Sequence, residues 1–185
     1  MPPSSLFSTR FGPVILFVIL IWVIEIVNLF TGHGLSALGI LPRTPQGLMG
    51  IPLSPFLHAG LMHAALNTVP LLVLGALVSL RGVGTWLMAS GIIVFIGGGA
   101  VWLLGRESYH IGASGLVFGY FGFLVGRVWY DRRLASLAVA VITVLLYGGL
   151  IWGVLPTRWH VSWEGHLFGL IAGIIAARVL SEGKR

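Results

Sequence analysis

The chain has no cysteine among its 185 residues and very little charge, with only 9% of residues Asp, Glu, Lys or Arg. The first absence excludes disulfides, thiolate metal sites and a cysteine nucleophile, and leaves the redox compartment undetermined. The second excludes a soluble domain of ordinary composition, in which about a quarter of residues are charged. Low-complexity tracts and a second, polar domain are also missing. What fills the chain is apolar: 57% of residues are hydrophobic and the mean hydropathy is +0.99, which together describe a polytopic membrane protein. A net charge of +6 does not indicate nucleic acid, because the basic residues punctuate the ends of apolar runs and form no patch on a polar surface.

Apolar stretches able to cross a ~30 Å hydrocarbon layer recur six times. They are expected near residues 13–30, 56–80, 86–104, 114–130, 134–155 and 165–180, within a single membrane domain covering 1–185. The first is too long for a signal-peptide core and runs into TGHGLSALG, which offers no convincing cleavage signal. Six crossings put both termini on one side. Arg10, Arg81, Arg127, Arg132, Arg133, Arg178, Lys184 and Arg185 fall at one face, against Arg43, Arg106 and Arg158 at the other, so the termini are expected in the cytoplasm. The expected architecture is an all-α six-helix bundle. Its first outer loop, Thr31 to Pro55, is apolar and rich in Gly and Pro, and suits embedding in the membrane interface.

Polar groups within apolar helices are costly and mark candidate sites. The second span carries HAGLMHAALN. His63 and Asn67, four apart, share one helix face, whereas His58 is expected to point elsewhere and to bond backbone or a neighbouring helix. The fourth opens with GASG and the sixth with GHLFGLIAG. At ~1.5 Å per residue, Ser114 lies about 20 Å above Arg127, His166 about 18 Å above Arg178 and Asn67 about 21 Å above Arg81. Three polar groups thus share one depth, roughly 10 Å below the outer surface of a ~30 Å layer. Gly115 and Gly119, with Gly165, Gly169 and Gly173, repeat every four residues and form stripes on which two helices can close. One stripe begins at Ser114 and the other at His166.

A serine hydroxyl becomes a useful nucleophile when a base takes its proton, and histidine suits that task near neutrality. Ser114 and His166 are therefore the expected nucleophile and base. The Ser114 N–H at a helix start, with the His63 and Asn67 side chains, is the expected set of oxyanion donors. Glu164, two residues before His166, faces away from it and favours the helix N-terminus instead, leaving a Ser-His dyad without a third member. No cofactor or metal is expected, since a metal would need further ligands beside His63.

These residues resemble the rhomboid intramembrane serine proteases over nearly the whole chain. The pattern His-x4-His-x3-Asn stands as His58, His63 and Asn67, the pattern Gly-x-Ser-Gly as Gly112, Ser114 and Gly115, and the histidine followed by glycines as His166, Gly169 and Gly173. The resemblance implies hydrolysis of peptide bonds in or beside transmembrane segments of membrane-protein substrates, with Ser114 nucleophile, His166 base, His63 and Asn67 oxyanion donors, and His58 structural. It also implies an aromatic ring one turn after the serine for the histidine to pack on, here Phe118 where Tyr is common. The Trp-Arg pair that many members carry in the first outer loop is lacking, which leaves that loop's role open.

Water must reach such a site, so its polar groups are expected to line a cavity open to the outer side. Two other readings stay open from sequence: a catalytically silent relative that binds transmembrane segments, and a proton or metal transporter using the histidines with Glu25, which in mid-helix is expected to be protonated or bonded to a neighbouring helix. Tyr120 and Tyr147 read as packing aromatics, Trp159 and Trp163 as interfacial anchors, His33 and His160 as solvated loop residues, and His110 as bonded within its own loop. The partners expected are transmembrane substrates and lipid, with no nucleic acid. The small size and lack of an organellar presequence point to a bacterial inner membrane.

Overall fold

The computed structural model describes residues 10–157 and 161–182. Arg158, Trp159, His160, Lys184 and Arg185, to which the sequence assigned loop, anchoring or topological roles, lie outside the described residues. Among the described residues eight α-helices follow in order: α1 (Gly12–Phe30), α2 (Pro45–Leu53), α3 (Leu61–Ser79), α4 (Val83–Ile92), α5 (Gly98–Leu104), α6 (Ser114–Gly126), α7 (Leu134–Tyr147) and α8 (Trp163–Glu182). A π-helical turn, Ile93–Gly97, fuses α4 and α5 into one rod, and 3-10 turns extend α6 to Trp129 and α7 to Val154.

Five of the resulting rods, Gly12–Phe30, Leu61–Ser79, Val83–Leu104, Leu134–Val154 and Trp163–Ser181, are long and apolar enough to cross a membrane. The chain is an integral multi-pass membrane protein. The sixth apolar helix, Ser114–Trp129, is shorter. Every residue from Leu116 through Leu124 is buried, so α6 is sheathed by its neighbours and need not match the thickness of the hydrocarbon by itself. The outer rods obey the opposite rule. In α1, beyond Gly12 at its start, only a stripe of Val14, Val18, Ile21, Glu25 and Asn28 is buried, at the three- and four-residue spacing of one helix face, while Ile19, Val23, Ile26 and Phe30 are exposed for lipid to cover.

The loop between α1 and α3 is itself structured. It folds into a 3-10 turn, Gly34–Leu38, and α2, whose Thr44 cap accepts from the Gly47 N–H at 3.1 Å. Arg43 holds it down by donating to the Gly105 carbonyl at 2.7 Å, and the Trp102 indole donates to the Thr44 carbonyl at 2.8 Å. His33, expected in solvent, is half-buried with Nδ1 3.4 Å from Asn28 Nδ2. At the end of α6 away from Ser114, the Asp131 carboxylate accepts from Arg81 at 2.6 Å, Ser136 at 2.9 Å and Arg127 at 3.4 Å, pinning the α3–α4 turn to the α6–α7 turn.

The tightest seam lies between α6 and α8, the most extensive helix pair in the fold. A Cβ on Gly169 would collide with the Gly115 carbonyl oxygen, one on Gly122 with that of Leu170, and one on Gly173 with that of Gly119, whose carbonyl carbon would lie only 2.7 Å away. In lipid, where apolar surface gives helices no reason to associate, such backbone contact supplies the packing that does. Gly173→Val is therefore expected to lower stability by about 1–3 kcal/mol, read as a drop in thermal unfolding temperature in detergent. Gly91→Ala, where an added Cβ meets nothing within 4 Å, should unfold at the wild-type temperature.

Candidate active site

The seam brings together the two residues its glycine stripes begin with. Ser114 opens α6, where the first N–H groups of the helix have no intrahelical acceptor. His166 sits in the first turn of α8, and its Nε2 lies 2.9 Å from Ser114 Oγ. The other ring nitrogen, Nδ1, is 2.8 Å from the Gly153 carbonyl. A carbonyl can only accept, so Nδ1 bears the proton and Nε2 presents its lone pair to the serine hydroxyl. Phe118, one turn after Ser114, stacks on the imidazole at 4.1 Å between centroids and 5° between planes. The ring is thereby held by a bond at one edge and a face against an aromatic.

Sequence reasoning missed Gly153. It lies in the 3-10 turn that ends the α7 rod, where carbonyls are left without intrahelical donors. A Cβ there would stand 2.7 Å from the Phe118 ring and 3.3 Å from His166 Nδ1. A backbone acceptor has no side-chain signature, and only the spare glycine hinted at close approach.

On the other side of Ser114, the turn Gly112–Ala113 is shaped from three directions. Gly112 has φ +115, which L side chains rarely adopt, and a Cβ on it would lie 2.8 Å from His63 Cε1 and 2.9 Å from Nε2. Its N–H donates to the Ser54 carbonyl at 2.9 Å, and the Ala113 N–H donates to His58 Nε2 at 3.2 Å. Ser54 too carried no sequence signal. His63 Nδ1 is occupied as an acceptor from the Ala59 N–H at 3.4 Å, so a neutral His63 carries its proton on Nε2, which lies close to Gly112.

Two expectations need correction here. His58 is not in the second span, because α3 starts only at Leu61, after Gly60 at φ +128. Nor does it point away from His63: the bend at Gly60 returns the chain so that the two rings meet edge to face at 4.9 Å. His58 does bond backbone, as read, through the Ala113 N–H. Asn67 is buried below His63 and donates from Nδ2 to the His63 carbonyl at 2.9 Å, leaving its second amide hydrogen for another acceptor. Glu25 is fully buried, and its Oε2 accepts from Asn28 on its own helix at 3.4 Å. Asn28 in turn donates to the His58 carbonyl at 3.0 Å.

Glu164 faces Arg106, with the guanidinium Nε 3.4 Å from Oε1. His110 bonds within its loop, to the Arg106 carbonyl at 3.1 Å, and also reaches outside it, to Ser162 at 2.6 Å. Tyr120 packs fully buried, with its hydroxyl 2.7 Å from Ser90. Beside Ser114 lies a cavity of about 50 Å³ whose lining includes Ile51, Ile93, Val101, His110 and Ser162. The π turn contributes Ile93, Val94 and Gly97 to its lining, a local irregularity common beside functional sites. Among the described residues no group of three or more His, Cys, Asp or Glu is disposed to hold a metal ion.

Comparison with known proteins gives the same direction. Uncharacterized proteins of Mycobacterium tuberculosis and Mycobacterium leprae are 37% and 36% identical to this chain over 181 residues, covering 93% of it and 75% and 72% of their own lengths. A Bacillus subtilis protein named a putative rhomboid protease is 27% identical over 137 residues, covering 69% of this chain and 65% of its own length. The Rhomboid domain model matches residues 45–183, a stretch that holds all three motifs and both helices of the glycine seam, and the chain therefore belongs to the rhomboid family.

Proposed function

We propose that this protein is an intramembrane serine endopeptidase that cleaves peptide bonds in or beside the transmembrane segments of membrane-protein substrates. The observation that carries the reading is the 2.9 Å contact of Ser114 Oγ with the unprotonated edge of an imidazole whose opposite edge is bonded to a carbonyl. In that arrangement the hydroxyl proton moves to His166 Nε2 as Oγ attacks the substrate carbonyl carbon. The oxyanion so formed takes hydrogen bonds from the Ser114 N–H, His63 Nε2–H and the free Asn67 amide hydrogen. The imidazolium then protonates the departing amine, and water hydrolyses the acyl-enzyme by the same steps reversed. Gly153 stabilises the imidazolium with a carbonyl dipole in place of a carboxylate, so the dyad works without a buried third charge.

Six crossings with both termini cytoplasmic fit this reading. The arginines of the α3–α4 and α6–α7 turns lie at the end of α6 remote from Ser114, which supports a site in the outer half of the membrane by the excess of positive charge on cytoplasmic loops. The bacterial relatives point to a bacterial plasma membrane.

A fluorophosphonate probe is expected to label the wild type, to fail with Ser114→Ala, and to react at a small fraction of the rate with His166→Ala. Labelling that survives Ser114→Ala removes the serine from its role. Asn67→Ala is expected to slow cleavage of a transmembrane substrate by roughly 10- to 10³-fold with an unchanged unfolding temperature; an unaltered rate excludes it as an oxyanion donor. Gly153→Val, which drives a side chain into Phe118 and the histidine edge, should lower the labelling rate to near that of His166→Ala.

A further inference from the structure

The molecule contains a second serine–histidine contact that the proposed chemistry does not use. His110 Nδ1 lies 2.6 Å from Ser162 Oγ. His110 precedes Ser114 by four residues and Ser162 precedes His166 by four, so this pair joins the segments that lead into α6 and α8, the two helices carrying the candidate dyad. Its proton positions follow from its partners. His110 Nε2 is 3.1 Å from the Arg106 carbonyl, an acceptor only, so Nε2 bears the hydrogen and Nδ1 accepts from the Ser162 hydroxyl. The Ser162 oxygen in turn accepts from the Gly165 N–H at 3.2 Å, capping the helix whose first turn carries His166.

The charged groups facing His110 are Arg106, from its own loop, and Glu164, from α8. Burial lowers the imidazole pKa, outweighing the upward pull of the Arg106 carbonyl and the Glu164 carboxylate, which keeps the ring in the neutral form this bonding requires. Arg106 grips the same segment, donating to the Val161 carbonyl and pairing with Glu164.

Resting on the dyad reading, we propose that His110 and Ser162 are positioning residues: their bond clasps the loop leading into α6 to the cap of α8 and so fixes the separation of Ser114 from His166. Neither side chain takes a proton from the substrate. Losing the clasp leaves the glycine seam to hold the helices but lets their first turns shift, and displacement of a reacting pair by about 1 Å costs on the order of 100-fold in rate.

The test is the rate of fluorophosphonate labelling of purified full-length protein, with unfolding temperature measured alongside. His110→Leu and Ser162→Ala are each expected to label roughly 10- to 100-fold more slowly than wild type, and the double variant no more slowly than the slower single. His110→Gln, whose amide oxygen accepts from Ser162 while its N–H donates to the Arg106 carbonyl, should restore most of the rate. If His110→Leu does not fold, Ser162→Ala decides by the same criterion. A wild-type rate in a folded variant, or a His110→Gln protein as slow as His110→Leu, overturns the clasp while leaving the dyad standing. A wild type that takes no label at Ser114 overturns the dyad, and this inference falls with it.

Discussion

The contact between the backbones of α6 and α8 is what everything else in the structure depends on. Glycine at 169 and 173 lets one helix lie against the carbonyls of Gly115 and Gly119 on the other. That approach sets the interaxial distance, and the interaxial distance sets how far a hydroxyl at the head of one helix stands from an imidazole at the head of the other. Bulkier residues would part the helices by more than a hydrogen bond tolerates. The seam therefore acts as a ruler for the site as well as a packing device, in a solvent that offers helices no hydrophobic drive to associate.

A second constraint comes from the cost of charge below the membrane surface. Around Ser114 the orienting partners are neutral: the Gly153 carbonyl for His166, the Ala59 N–H for His63, the Ala113 N–H for His58. Each consumes one ring nitrogen and thereby dictates what the other presents. His166 is left with a lone pair and His63 with a hydrogen, the two complementary properties that the proposed acyl transfer needs. Backbone groups accomplish this without the desolvation penalty of a buried carboxylate. Among the described residues, the carboxylates that do take part in ion pairs stand at the ends of the bundle, Glu107 with Arg43, Glu164 with Arg106 and Asp131 with three arginines.

The loop between α1 and α3 is more than a tether. Its bridge from Ile40 to His110, and the bonds of Arg43 to the α5 terminus, fasten it to the loop before Ser114. Ser54 reaches the same turn from the other side. The lack of a Trp-Arg pair is thus accompanied by a different set of anchors, and the Gly112–Ala113 turn is held from several elements at once.

Much of this was determined by the sequence alone. Apolar runs of membrane-crossing length, basic residues at their ends, glycines every fourth residue and the placement of Ser114, His166, His63 and Asn67 all follow from periodicity and from the price of polarity in lipid, which act residue by residue along a helix. Tertiary structure decided what depends on chain reversal and on backbone atoms. The bend at Gly60 freed His58 from the helix and turned it onto His63, a pairing that helical spacing forbids. The acceptors at Gly153 and Ser54 are carbonyls, identical in every residue, so no side chain announces them. The meeting of His110 with Ser162 joins residues 52 apart, and only the packed seam makes them neighbours.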